Sequence, residues 1–255
     1  MTSKVEAYRQ ALRQISDWEP FLMAESGLPG PRGNLELAEA VALEARPEQL
    51  TAWLQLGPKQ APTGTADEFL AFCGVRGQGR LLAQGQREPL PILRSKSADP
   101  RWRVREAVAF ALQEWGYYDR QALLDEMQEW KTGNSLEQRA ACAALCEPGL
   151  LDREEFTLQV LNLLDDVTRR FTQADDRRAD GQRTLRQALG YCWSVATAAF
   201  PQAGKALMEK WLAHPDRDVH WIMLENLKKK RLQRMDRVWV EAMISRTQRL
   251  LHARL

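Results

Sequence analysis

From Ala98 to Leu145 small and apolar residues recur every three or four positions, and the recurrence happens twice. Val104, Ala107, Val108, Ala111, Leu112 and Trp115 fall on one face of a helix, and Ala141, Ala144 and Leu145 fall on one face of another. Arg105 and Arg139 hold equivalent places 34 residues apart, as do Ala107 and Ala141. A strand alternates with a period of two, so a stripe of this period can be buried only by a helix. Alanines within it let a second helix come close. Self-similarity at this spacing is the mark of stacked helical pairs.

The rest of the chain agrees. Ala, Leu, Arg, Glu and Gln abound, while Val, Ile and Tyr are scarce, which favours an all-α fold. At 255 residues a large core can be buried. The pattern predicts helices over Lys4–Ile15, over Leu35–Ala45 with Asn34 as its cap, from Pro47, and after Asp67. Asp99 is expected to cap a helix with Pro100 in its first turn and Gly116 at its end. Further helices are expected after Asp119, after Ser135, and over Glu154–Leu164, Arg183–Phe200, Ala203–Leu212, Val219–Leu227 and Asp236–Leu251. Gly27–Asn34, Gly57–Asp67 and the Arg/Asp-rich run Arg169–Arg183 read as loops or helix ends. Gly74–Gln86 (GVRGQGRLLAQGQ) follows a helix and has no Gly-Lys-Ser/Thr ending, so it reads as a helix–helix break and not as a phosphate loop.

The pairs Val104-Arg105, Gln138-Arg139, Leu185-Arg186 and Val219-His220 fall in register when the helices are aligned by their apolar residues. Asp99 and Asp180 each precede an arginine by six residues. This pattern resembles the HEAT-repeat family of α-solenoids, best over Asp99–Leu112 and also over Asp216–Leu227. The resemblance implies one right-handed superhelical solenoid of antiparallel helix pairs. Its regular repeats would occupy 98–255, with degenerate helices or a cap over 1–97. In that family second helices line the concave surface, which would set Arg101, Arg105, Arg139, Arg186 and His220 at the groove or its rim. The competing expectation for Arg105 and Arg186 is an Asp–Arg ladder between repeats, because buried charges need partners.

Nine tryptophans, most at apolar helical positions, read mainly as packing. Trp102 lies among Arg101, Arg103 and Arg105, and Trp221 follows His220, so these two could stack beside a phosphate-binding surface. The Trp-x-x-Arg spacing of Trp102 and Arg105 resembles the arginine-bearing helix of the AlkD-type HEAT-like alkylpurine DNA glycosylases. That resemblance implies a groove holding a modified nucleotide by tryptophans, an arginine and a catalytic aspartate. This chain departs from the family's Trp-Asp-x-Val-Asp segment. Asp165-Asp166-Val167 comes nearest and lacks the tryptophan, so no catalytic aspartate is carried over.

No other chemistry has a signature. His214, His220 and His252 lack acidic or thiol partners at metal-ligand spacing, so neither a metal nor a cofactor is expected. Cys73, Cys142, Cys146 and Cys192 show no disulfide spacing, and no run reaches membrane-spanning length, so a cytoplasmic, non-membrane protein is expected. Asp165/Asp166 and Asp175/Asp176 are expected to pair with nearby arginines. Residues 228–255 carry nine basic side chains, Arg249 and Arg254 among them, against Asp236 and Glu241. The Lys228–Arg231 run is either a solvated helix end or a nucleic-acid contact. The leading expectation is a non-enzymatic scaffold that engages a protein or a duplex nucleic acid. The alternative is a DNA-repair glycosylase.

Overall fold

The computed structural model describes residues 3–252, with side-chain surroundings described through Thr247. Arg254 lies outside the described residues, and so do the side chains of Arg249 and His252. Among the described residues the chain is all-α, with sixteen α-helices, one 3-10 turn and no strand. It divides into two compact units, Met1–Asp119 and Arg120–Leu255.

The first unit contains α1 (Lys4–Leu12), α2 (Glu19–Glu25), α3 (Leu35–Glu44), α4 (Pro47–Leu54), α5 (Ala66–Arg76), α6 (Gln78–Ala83), α7 (Pro89–Lys96) and α8 (Trp102–Tyr118). Asn34 opens α3 as expected, its Oδ1 accepting from the Leu37 amide at 3.0 Å. α5 and α6 form one helical run broken at Gly77, and α8 packs on both. A Cβ at Gly74 would stand 2.6 Å from the Leu54 backbone nitrogen. The glycine-rich text therefore serves close helix crossing.

Three expected caps fall elsewhere. The Asp99 carboxylate accepts from the Arg101 amide at 2.9 Å and holds the Arg101 guanidinium, so the turn closes on itself and α8 starts only at Trp102. Gly116 does not stop α8, because it is buried within the helix, which runs on to Tyr118. Asp67 lies inside the first turn of α5. Glu68 reaches back to accept from the Gly64 amide at 2.7 Å.

Glu44 ties α3 to α1. Its Oε1 stands 2.7 Å from Arg9 Nε and 2.6 Å from Arg13 Nη2. Chiefly the Arg13 hydrogen bond, with Arg9 assisting, holds the Glu44 carboxyl at about 2. A carboxylate depressed in the folded state stabilises the fold above its unfolded pKa and loses that contribution as pH falls. Between about pH 4.3 and the folded value of about 2, the wild type should lose stability more steeply than Glu44→Gln. Melting curves across that window test this, and parallel slopes would refute it.

The second unit contains α9 (Arg120–Trp130), α10 (Ser135–Leu145), a 3-10 turn (Pro148–Leu150), α11 (Glu154–Thr172), α12 (Asp180–Ala199), α13 (Pro201–Leu212), α14 (Arg217–Leu227), α15 (Lys230–Met235) and α16 (Arg237–His252). α10, α12 and α14 pack in series. α9 lies on α10, and α11 and α13 contact each other and α12. Asn134 and Asp216 cap α10 and α14, each accepting two backbone amides. α11 outruns its expected end because Val167 and Phe171 extend its buried stripe, carrying Arg169 and Arg170 into its last turn. Asn226, fully buried, joins α14 to α12. Its amide donates to the Leu189 carbonyl at 2.8 Å and its oxygen accepts from the Ser194 amide at 2.7 Å. All four cysteines are buried thiols. Burial pushes those of Cys73, Cys142 and Cys146 up.

Candidate functional site

The arginines around Trp102 were expected at a partner surface, and two of them are interior. Arg101 is 1% exposed and is gripped on both guanidinium edges by Asp99, while its Nη1 donates to the Ala61 carbonyl at 3.1 Å. Arg103 pairs with fully buried Glu68 at 3.2 Å and donates to the Gly30 carbonyl at 2.6 Å. These planar forks fasten the 27–33 and 57–65 loops onto α5 and α8, which removes them from any groove. Arg105 donates to the Asp99 and Pro100 carbonyls at 2.6 and 3.1 Å, while the Asp99 carboxylate itself is held by Arg101. Trp102 is displayed, 45% exposed, with the Arg103 guanidinium 4.4 Å from its ring centre.

Trp102 stands at the lip of a hollow of about 130 Å³ within the first unit. Phe69 and Phe72 from α5 and Phe110 from α8 line it, with Leu28, Arg32, Gly33 and Leu35 from the α2–α3 connection and the start of α3. Sequence reading missed this hollow. Its linear traces were Trp102, Glu106 and Phe110, four residues apart on α8, and Phe69 and Phe72, three apart on α5.

In the second unit Arg139 and His220 are buried in α10 and α14, not displayed on a groove. Both lie in the series of helices that pack on one another, where the register that aligned them also turns them inward. Arg186 and Trp221 do come together. The Arg186 guanidinium carbon lies 3.8 Å from the Trp221 ring centre, and its Nε stands 2.8 Å from Asp218 Oδ1. Trp221 fits because position 190 is glycine, where a Cβ would meet the ring at 3.1 Å. Arg186 of α12 thus pairs with Asp218 of α14, while Asp180 pairs with Arg183.

The Arg/Asp-rich connection is pinned by Arg177. It donates to Asp216 at 2.8 Å and to the Thr172 carbonyl at 2.7 Å, over the Phe171 ring. Asp165 holds Lys210 at 2.7 Å and the Trp211 indole at 2.8 Å. Asp166 holds Lys131 and Arg169, each at 2.7 Å. These carboxylates are engaged in structure.

A different surface remains cationic. Tyr191 on α12 is 43% exposed, with the Arg231 guanidinium 4.7 Å from its ring centre and Lys229 Nζ 5.9 Å away. Arg231 also donates to the Tyr191 hydroxyl at 2.7 Å. α15 and α16 form a hollow of about 480 Å³ that includes Lys230, Arg234 and Arg237. The acids of this region have taken other cations: Glu225 holds Lys228, Asp236 holds Lys205, and Glu241 holds Arg237. Lys229, Lys230, Arg231 and Arg234 make no ion pair among the described residues. The basic run was legible in the sequence. The aromatic on a neighbouring helix was not.

No family model, curated protein or solved structure matches this chain.

No group of three or more His, Cys, Asp or Glu side chains among the described residues could hold a metal ion. No described helix is long and apolar enough to cross a membrane. The geometry sets cations with an aromatic on the second unit, and an aromatic hollow on the first.

Proposed function

We propose that this protein is a non-enzymatic binding scaffold of HEAT-like helix pairs whose second unit engages a nucleic acid. The observation that carries the reading is the run Lys229, Lys230, Arg231 and Arg234, cations without acidic partners among the described residues, of which Lys229 and Arg231 stand at the partly exposed Tyr191 ring. Lysine and arginine release counterions from phosphates, and tyrosine supplies a face for a base or sugar. The serial packing of α10, α12 and α14, with α11 against α13, supports the HEAT-like reading. In a right-handed solenoid of that kind these second helices form the concave layer, and Arg186, Tyr191 and Trp221 belong to it.

Anisotropy with a labelled duplex tests the reading. About four phosphate contacts predict a roughly hundredfold loss of affinity between 50 and 200 mM salt. Lys230→Glu with Arg234→Glu should weaken binding at least about tenfold and flatten the salt slope by about 2. Salt-insensitive binding, or none, would sink the nucleic-acid reading and leave a protein partner.

A second reading, an alkylpurine DNA glycosylase, is favoured by one cluster. Asp218, Arg186 and Trp221 bring a carboxylate, an arginine and an indole together. Against it, Asp218 lies between two guanidiniums, Arg186 at 2.8 Å and Arg177 at 3.4 Å, which already answer its charge. The same duplex carrying an alkylated purine separates the readings. Release of the free base, lost in Asp218→Asn, would establish the enzyme, and no release would remove it.

A further inference from the structure

We propose that the hollow of the first unit binds a small monocyclic aromatic anion of the arylacetate or benzoate class. Its floor is aromatic: the Phe69 and Phe72 rings lie nearly parallel, 6.2 Å apart, and Phe110 meets Phe72 edge-on at 6.1 Å. A ring set among these gains face and edge contacts beyond simple burial. Size limits the guest. The hollow measures about 130 Å³, and a dry cavity on the order of 150 Å³ holds a benzene ring. One ring fits, while a fused ring system or a long acyl chain does not.

Charge selects among single rings. Arg32, Arg103 and Glu106 line the hollow, and Glu68 already answers Arg103 at 3.2 Å, so Arg32 is the cation that meets a guest. Arg32 is exposed and makes no ion pair among the described residues. Arg103 is 8% exposed, and its Nε has no hydrogen-bond partner. An anionic substituent left at the mouth meets Arg32 while the ring occupies the floor. Trp102, half displayed at the lip, adds an indole to the lining. The proposal uses first-unit residues alone and is independent of the nucleic-acid reading.

Titration of the full chain with phenylacetate, phenylacetamide and decanoate tests it, read by calorimetry and by the methyl resonances of Leu28 and Leu35. Phenylacetate should shift those methyls and bind about two- to fivefold tighter than its neutral amide, the range for one exposed charge pair. Decanoate should not bind. Arg32→Gln should erase the preference for the anion. Gly33→Leu should abolish binding by filling the hollow, since a Cβ there meets Phe69 only at 3.7 Å and fits without backbone strain. Should Gly33→Leu not fold, the comparison of acid with amide in the wild type and in Arg32→Gln still decides. Absence of methyl shifts with phenylacetate, equal affinity for the amide, or binding that survives Gly33→Leu would overturn the proposal.

Discussion

Arg103→Ala should destabilise the first unit by about 3–5 kcal/mol, the range for removing one partner of a buried pair. Glu68 is fully buried. Its Oε2 accepts from the Gly64 amide at 2.7 Å and from Arg103 at 3.2 Å, and its Oε1 has no partner. Without the guanidinium this carboxylate must take up a proton or draw water into the core. The Gly30 carbonyl also loses its donor, so the 27–33 loop is no longer tied to α8. Adding Glu68→Gln should recover much of the loss, because glutamine still accepts from Gly64 without carrying charge. Urea denaturation of the two variants measures both effects. A loss below about 1 kcal/mol for Arg103→Ala would mean that the pair behaves like a surface ion pair.

Gly79→Ala should cost about 3 kcal/mol, the upper part of the range for overpacking. A Cβ at this position would stand 2.7 Å from the Ala111 Cα, so the clash is with backbone and no rotamer relieves it. α6 must withdraw from α8, and buried Leu82 and Leu112 lose packing with it. Gly57→Ala is the control. Its Cβ would meet only the flexible end of Gln60, at 3.2 Å, and a change within about 0.5 kcal/mol is expected. Equal midpoints for the two variants would show that the α6–α8 crossing adapts, and the close-approach account would fail.

That glycine shows how far the sequence could be read. Gly74–Gln86 contained enough to reject a phosphate loop and to expect a helix break, because both follow from neighbours along the chain. The reason for glycine at 79 lies at Ala111, on another helix. Caps divide in the same way. Asn34 acts as read, and Asn134 and Asp216 cap in the same local way, since each meets amides two or three residues ahead. Asp99 does not, because its carboxylate is held by Arg101, which is itself fixed by the Ala61 carbonyl from a distant loop.

The candidate surfaces follow the same division. The Lys228–Arg231 run was visible as charge, but its pairing was not. Salt bridges that neutralise Lys228, Lys205 and Arg237 leave Lys229, Lys230, Arg231 and Arg234 as the cationic remainder. Register alone placed Arg139 and His220 beside Arg186, yet the serial contact of α10, α12 and α14 buries the first two and leaves Arg186 stacked on Trp221.

The sequence by itself determined that this chain is all-α, where most helices begin, and which stripes they bury. Those properties rest on periodicity and on hydrogen bonds a few residues long. Only the tertiary structure decided that the repeated stretch from Ala98 to Leu145 is shared between two units, with α8 in the first and α9 and α10 in the second. It also decided which arginines are consumed inside and which aromatics surround a hollow. Those outcomes depend on partners 35 residues away or more, as with Arg103 and Glu68, and on the desolvation that makes a buried charge seek its counterpart.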